Sequence, residues 1–339
     1  MRLTRRDAMI AAIASQVLPA VAQAQVAAQA PVSELAPSER PVRLIAPFSE
    51  AGAADIAARR FARHARRHLA GAAHPILVEN MPGASGALGT AAVARAEPDG
   101  HTLLLARVAS SAILPAIDPR TPYRAEDFTW LGLLDANPFV ICVAQGAPWP
   151  DLPALLEALH ADAGPRLRFA TSGPATILDL GVRKMFVLTG LPLDAADAVE
   201  TRGGGEALGA LLGGEAEFLG NNLGDMMGAI RAGRVRPLAV SGAVRLSLLP
   251  QVPTTTELGL PDMAHLAGWS AIAGPANLPE AVSLYWRGVI ARTGADPAWI
   301  AETEAGGSIP RISGGTAALA HVRAQIAFYQ DIARRLNLG

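Results

Sequence analysis

Residues 42–55 read VRLIAPFSEAGAAD. The run 42–46 is apolar except for Arg43 and is short enough for a buried strand; Pro47 ends it, and Asp55 is placed to start a helix. In that helix, over residues 55–69, Ala58, Phe61, Ala62, Ala65 and Leu69 recur on one face, while Arg59, Arg63, Arg66 and Arg67 occupy the rest as a solvated face. Between strand and helix lies a turn of small residues, which leaves the free N–H groups of a helix start open to a ligand.

The unit recurs along the chain. Short apolar runs at 76–78, 103–106, 139–144, 167–170, 217–219, 237–240 and 270–273 alternate with longer helical patterns. This alternation predicts an α/β fold with largely parallel sheets, whose ligands bind where the carboxyl ends of strands feed into helices. After the second run comes another small-residue turn, Glu79 through Pro82 to Gly83-Ala84-Ser85-Gly86, leading into a helix. One such turn alone serves plain packing as readily as binding; two in succession point to a carboxylate cradle.

The flanks of this region set the compartment. Arg2, Arg5 and Arg6 precede an apolar stretch reaching Ala24, the order of a bacterial export signal, with cleavage expected after Ala24. Arg5-Arg6 after Thr4 fits a twin-arginine signal, although the apolar stretch serves the general secretory route as well. Residues 25–39, rich in Ala, Pro, Ser and Gln, read as a disordered leader, with folded structure beginning near Arg40. About 300 residues then remain, the size of two domains. No later apolar run reaches the ~20 residues of a spanning helix, so no membrane insertion is expected after signal removal.

Of 29 basic and 30 acidic residues, the signal takes three Arg and one Asp, which leaves 26 and 29 and a net charge of about −3. Such a balance argues against a nucleic-acid partner, which needs a basic stripe facing the phosphates. The lone Cys142, within an apolar run, reads as a small buried hydrophobe and excludes an intrachain disulfide.

Four blocks together carry a family resemblance: PFSEAGAAD at 47–55, ENMPGASGALGTAAVARAEPDGHTLL at 79–104, EALGALLGGEAEF at 206–218 and AGRVRPLAVSGAVRLSLLPQVPTTTELGLP at 232–261. In motif order and gaps, from about residue 42 to 279, the chain resembles the Bug-type (TctC-like) extracytoplasmic receptors of tripartite tricarboxylate transporters. The resemblance implies a two-lobed periplasmic-binding-protein (flytrap) fold with two hinge crossings. It also implies a periplasmic, non-enzymatic, monomeric receptor that takes a small carboxylate, uses no cofactor or metal, and partners membrane transporter subunits.

Carried over by position, one lobe supplies Phe48, Ser49, Gly52, Ala53 and Asp55 from the first turn and Gly83, Ala84, Ser85 and Gly86 from the second. The other lobe adds Thr171, Ser172, Thr176, Arg202, Gly203 and the pair Asn221-Asn222. The chain departs from the family pattern at three places. Ala51 replaces the first turn glycine, at a cost of about 1 kcal/mol if the backbone there needs a positive φ. No His follows the second-lobe turn around 177–179, and Glu200-Thr201-Arg202-Gly203-Gly204 replaces an aromatic-lysine-glycine stretch. These departures imply a ligand different from that of the best-known members, or a loss of binding.

Charged and nucleophilic side chains bring sharper alternatives. Arg107, at a strand's carboxyl end, either grips a carboxylate through two parallel hydrogen bonds or makes a rim or interlobe salt bridge, and Arg202 has the same two readings. Ser85 could act as a hydrolase nucleophile, but the spacing of the seven His residues offers it no base. A sensor reporting to a membrane signalling protein would share the receptor's pocket and differ in partner. His64 and His68 have a metal-chelating spacing without a third ligand nearby. The triple glycine 203–205 lacks the Lys-Ser or Lys-Thr of a phosphate loop and reads as a flexible entry to a helix over 207–212. The expected lobes are 40–134 with 265–339, and 135–264, crossed near Ala136 and Gly268.

Overall fold

The computed structural model describes residues 40–50, 52–69, 75–161, 165–174 and 176–335. The export signal, the leader and Ala51 lie outside these residues. Strand β1 (Val42–Ala46) leads through the first small-residue turn into helix α1 (Ala53–Ala65). β2 (Ile76–Asn80) leads through the second into α2 (Ala87–Ala94), and β3 (Thr102–Arg107) follows. β1 pairs in parallel with both β2 and β3. α1 buries Ala58, Phe61 and Ala65 as its spacing dictates, and its Arg59, Arg63, Arg66 and Arg67 side stays in solvent.

β4 (Phe128–Ala144) is 17 residues long, far beyond the apolar run at 139–144 from which it was expected. Its first part pairs antiparallel with β9 (Ala267–Pro275) as far as Pro138, and with β10 (Ile309–Gly314). From Phe139 onward its partners are β7 (Phe218–Asn222) and β8 (Val235–Val240). β7 pairs in parallel with β5 (Arg168–Thr171), which pairs in parallel with β6 (Asp197–Glu200). One sheet thus passes into the other along β4, and each carries its own helices.

The sheets are mixed, not largely parallel. Every antiparallel pair involves β4 or β9, the strands by which the chain leaves one lobe and comes back in the opposite direction. Alternation of apolar runs with helices predicts parallel neighbours, which is correct for β1 with β2 and β3 and for β5 with β6 and β7. It contains no information about the direction of a returning strand.

The remaining helices are α3 (Leu152–His160), α4 (Ile177–Leu188), α5 (Gly204–Gly213), α6 (Leu223–Arg231), α7 (Glu280–Ala295), α8 (Pro297–Ala305) and α9 (Gly315–Arg335). The triple-glycine stretch is largely helical already, since α5 begins at Gly204. In one lobe α1 and α7 enclose Phe61, Trp286 and Trp299, all buried, with Trp286 Nε1 donating to Gly100 O at 3.1 Å. In the other, Phe169 stacks on Phe218 at 5.9 Å and both meet Phe186 edge-on. Cys142 is fully buried there, where loss of hydration pushes its thiol pKa up. Among the described residues no helix is long and apolar enough to cross a membrane.

Candidate functional site

The two turns of the first lobe are tied together. Asn80 Nδ2 donates to Phe48 O at 3.0 Å and Met81 N donates to Ala46 O at 2.9 Å. Gly83, Ala84, Ser85 and Gly86 all have positive φ, at 135°, 47°, 54° and 88°. Four successive residues in that region are a strained arrangement that the two glycines make affordable and that Ala84 and Ser85 merely tolerate. Gly86 also lies where a Cβ would come within 2.8 Å of the Phe48 ring and 2.9 Å of Ser110, so the turns pack through it.

Gly52, with φ −81°, is the N-cap of α1, and Ala53 is therefore the first helical residue. The helix starts two residues earlier than the sequence reading placed it, and Asp55 is not its first residue but lies inside the first turn, buried, with Arg59 Nε 2.9 Å away. Ser49 is exposed, as is Ala84, while Phe48 and Ser85 are half-buried. Ser85 lines a hollow of about 480 Å³ on the surface of this lobe with Leu88, Arg95, Asp118 and Arg120; no histidine lines it.

Across the cleft, Thr171 ends β5 and is buried. Thr201 N and Oγ1 both donate to its carbonyl, at 2.8 and 2.9 Å. Thr176, the N-cap of α4, donates from Oγ1 to Gly173 O at 2.8 Å, and Ser172 lies half-buried between them. Gly203 is the N-cap of α5, and Asn221 Nδ2 donates to Gly204 O at 3.1 Å. Asn222 caps α6 and is buried, with its backbone N donating to Asn221 Oδ1 at 2.7 Å. Thr171, Gly203, Asn221 and Asn222 thus form one connected polar wall.

Asp225, which the sequence reading passed over, lies in the first turn of α6. A Cβ added to Gly204 would lie 2.5 Å from Asp225 Oδ2, so the carboxylate rests against bare backbone. Loss of hydration raises its pKa, against the pull of the positive charge of Arg107.

Arg107 is 6% exposed and donates from Nη1 to Ser270 Oγ at 2.7 Å. Register places Arg107, Ser270 and Asp135 side by side across β3, β9 and β4. Arg60 of α1, close to Asp135 and Glu302, completes a buried charge group, and loss of hydration lowers its pKa. Asn137 at the crossing accepts from Gly224 N at 2.9 Å and donates to Ser308 Oγ at 3.2 Å, which ties the start of α6 to the first lobe.

The structure therefore places Arg107 at the buried junction of β3, β9 and β4, and Asn222 at the start of α6. It does not bring Arg202 there. That side chain is 87% exposed, and its Nη2 pairs with Glu206 at 2.8 Å, one helical turn onward. Arg202 was named for its strand-end position and its place in the family pattern, and its i,i+4 acid partner was the better signal. Asp225 was passed over because Asn222-x-x-Asp225 has the spacing of an ordinary helix cap. His64 is held by Asp296 and Glu302, at 3.4 and 2.9 Å, and no cluster suited to a metal occurs among the described residues.

Comparison with known proteins agrees with this architecture. Residues 57–310 match the family model described as tripartite tricarboxylate transporter family receptor. Protein BugT of Bordetella pertussis is 32% identical over 250 residues, which cover 73% of this chain and 74% of BugT. The periplasmic binding protein BugD superposes with a TM-score of 0.80 at 25% identity, covering 88% of this chain and 98% of BugD. MatC from Rhodopseudomonas palustris with bound malate superposes with a TM-score of 0.78 at 25% identity, covering 86% of this chain and 98% of MatC. Two lobes joined by crossing strands, two small-residue turns at the cleft, and a match over most of the chain lead to one conclusion: the chain belongs to the tripartite tricarboxylate transporter receptor family.

Proposed function

We propose that the chain is a periplasmic receptor that closes around a small organic acid and delivers it to the membrane subunits of a tripartite tricarboxylate-type transporter, binding its cargo without transforming it. One observation carries the reading: one lobe offers the start of α1 and a buried Arg107 guanidinium, and the other offers buried Asn222 at the start of α6, which Asn137 at the crossing ties to the first lobe. Backbone donors at a helix start and a buried guanidinium favour an anion and have no means of activating one. MatC, of like fold, holds malate.

In this reading the ligand carboxylate approaches Gly52, Ala53 and the Gly83-to-Gly86 turn, with Phe48 as an apolar wall. Thr171, Ser172, Thr176, Gly203 and Asn222 close over it from the second lobe. Residues 40–134 and 265–339 move as one lobe and 135–264 as the other, and contact of the ligand with both favours the closed state. Native mass spectrometry of protein purified from the periplasm is expected to show a co-purifying small acid, and calorimetry with that acid a one-to-one complex. Recovery of no acid, together with no heat from a panel of mono-, di- and tricarboxylates that includes malate, refutes the reading.

A further inference from the structure

Helix α2 has the composition of a buried helix and the position of a surface one. It reads ALGTAAVA over residues 87–94, without a charge, and its one polar side chain, Thr90, is fully buried. A surface helix ordinarily turns charged residues to the water. Here the outward face is Ala84, just before the helix, then Leu88 and Ala92, and Leu88 is 59% exposed. This face lines the hollow of about 480 Å³ that Ser85 also lines, and the rest of the lining is Leu114 and the segment from Asp118 to Pro122. No residue beyond Pro122 contributes to it, so the second lobe takes no part and the hollow is separate from the cleft.

Two guanidiniums lie on this lining, and only one is compensated. Arg120 donates from Nε and Nη2 to the two carboxylate oxygens of Asp118, at 3.0 and 3.1 Å, and from its backbone N to the same group at 2.9 Å. Arg95, exposed at the C-cap of α2, has a guanidinium without a hydrogen-bond or ion-pair partner among the described residues. One positive charge thus stands at the end of an apolar wall, in a hollow whose volume lies in the ~300–1,000 Å³ range of small-molecule sites. We propose that the hollow is a second ligand site, which takes an amphipathic monocarboxylate: the acid group on Arg95, and an aromatic or aliphatic body against Leu88, Ala91, Ala92 and Leu114. A dicarboxylate does not fit this lining, because its second charge would meet Asp118 or bare apolar surface. A protein partner needs about 800 Å² from each side, and Glu97 and Arg124, exposed just beyond the two lining segments, break the apolar surface short of that.

The test uses the full mature chain and two variants, with phenylacetate as the probe and neutral phenylacetamide as the control for charge. Arg95→Gln removes the free cation at an exposed helix end, where the fold does not depend on it. Ala92→Trp fills the hollow with a side chain, and thermal melts establish that it folds; if it does not, Arg95→Gln decides alone. Binding is followed by ligand-observed NMR, which reads weak complexes. Wild type is expected to bind phenylacetate with a Kd of about 1 mM or tighter, and phenylacetamide about threefold or more weakly, the factor that an exposed charge pair supplies. Arg95→Gln is expected to bind acid and amide alike, and Ala92→Trp to bind neither. No binding of phenylacetate to wild type up to about 20 mM, equal binding of acid and amide to wild type, or phenylacetate binding unchanged in either folded variant overturns the proposal. Each of these results leaves the receptor reading standing, since that reading concerns the cleft between the lobes.

Discussion

Arg107→Met and Arg202→Ala should separate a guanidinium that grips the ligand from one that decorates a surface. Arg107 is 6% exposed, and its hydrogen bond to Ser270 Oγ at 2.7 Å fixes its plane at the end of β3. A ligand carboxylate paired with a buried, oriented guanidinium gains about 2 kcal/mol or more from charge-assisted hydrogen bonds, so loss of the head group should weaken binding about 30-fold or more. Methionine keeps most of the aliphatic stem. Its neutrality also relieves Arg60, whose guanidinium is disfavoured by the like charge of Arg107, so the fold should tolerate the change. Arg202, 87% exposed and satisfied by Glu206, should change affinity by less than about twofold when replaced by alanine. Calorimetry with the co-purifying acid, after thermal melts have confirmed folding, measures both. If Arg107→Met binds within about fivefold of wild type, or Arg202→Ala loses more than Arg107→Met does, the assignment of the carboxylate to the Arg107 side of the cleft is refuted.

The backbone cradle can be probed without altering a charge. Gly52 has φ −81° and room for a side chain, the nearest obstacle being Ser49 O at 3.4 Å, so Gly52→Val should melt close to wild type yet lose affinity; full affinity would exclude close approach of the ligand to this turn. Gly83 has φ +135° and a would-be Cβ 2.5 Å from Leu88 Cδ1, so Gly83→Val should lower the melting temperature and affinity together; an unchanged melt would contradict the strain assigned to the turn. His321 packs edge-on against Trp269 at 5.5 Å, and burial, with help from Arg311, lowers its pKa to about 4. Its folded pKa lies below its unfolded value of ~6.5, so the unfolded chain takes up the proton first and stability should fall as pH drops from about 6.5 to 4. His321→Phe should flatten that part of the profile in urea melts followed by tryptophan fluorescence, and a profile of unchanged slope would count against the histidine as its source.

The parts of the fold that were legible in sequence are those governed by local chemistry. β1 was read to the residue because an apolar run ends at Pro47, and the buried face of α1 because its alanines and Phe61 keep a helical period. The first part of β4 was missed because Thr129, Gly132, Asp135 and Asn137 interrupt its apolar run; Gly132 is there because β10 packs too close for a side chain, and Asn137 because it bonds Gly224 N at the crossing. β6 and β10 were missed because they have no fully buried residue and hence no apolar signature. Both small-residue turns were found because small residues cluster between a strand and a helix pattern, and in the second turn glycines at positive φ add to that mark. Arg202 was named for the cleft although its side chain turns to Glu206 in its own helix, because a strand-end position does not fix where a long side chain points.

The course of β4 has a mechanical meaning. It is bonded to β9 as far as Pro138 and to β7 and β8 from Phe139, and a proline has no N–H to lend to either ladder. The strand therefore loses lateral bonding at the point where it changes partners, while β9 beside it keeps pace only as far as Ala267. A narrow two-stranded ribbon bends readily across its face and resists shear in its own plane. If the lobes move as the receptor reading requires, they are carried on something closer to a leaf spring than a ball joint, with one soft direction.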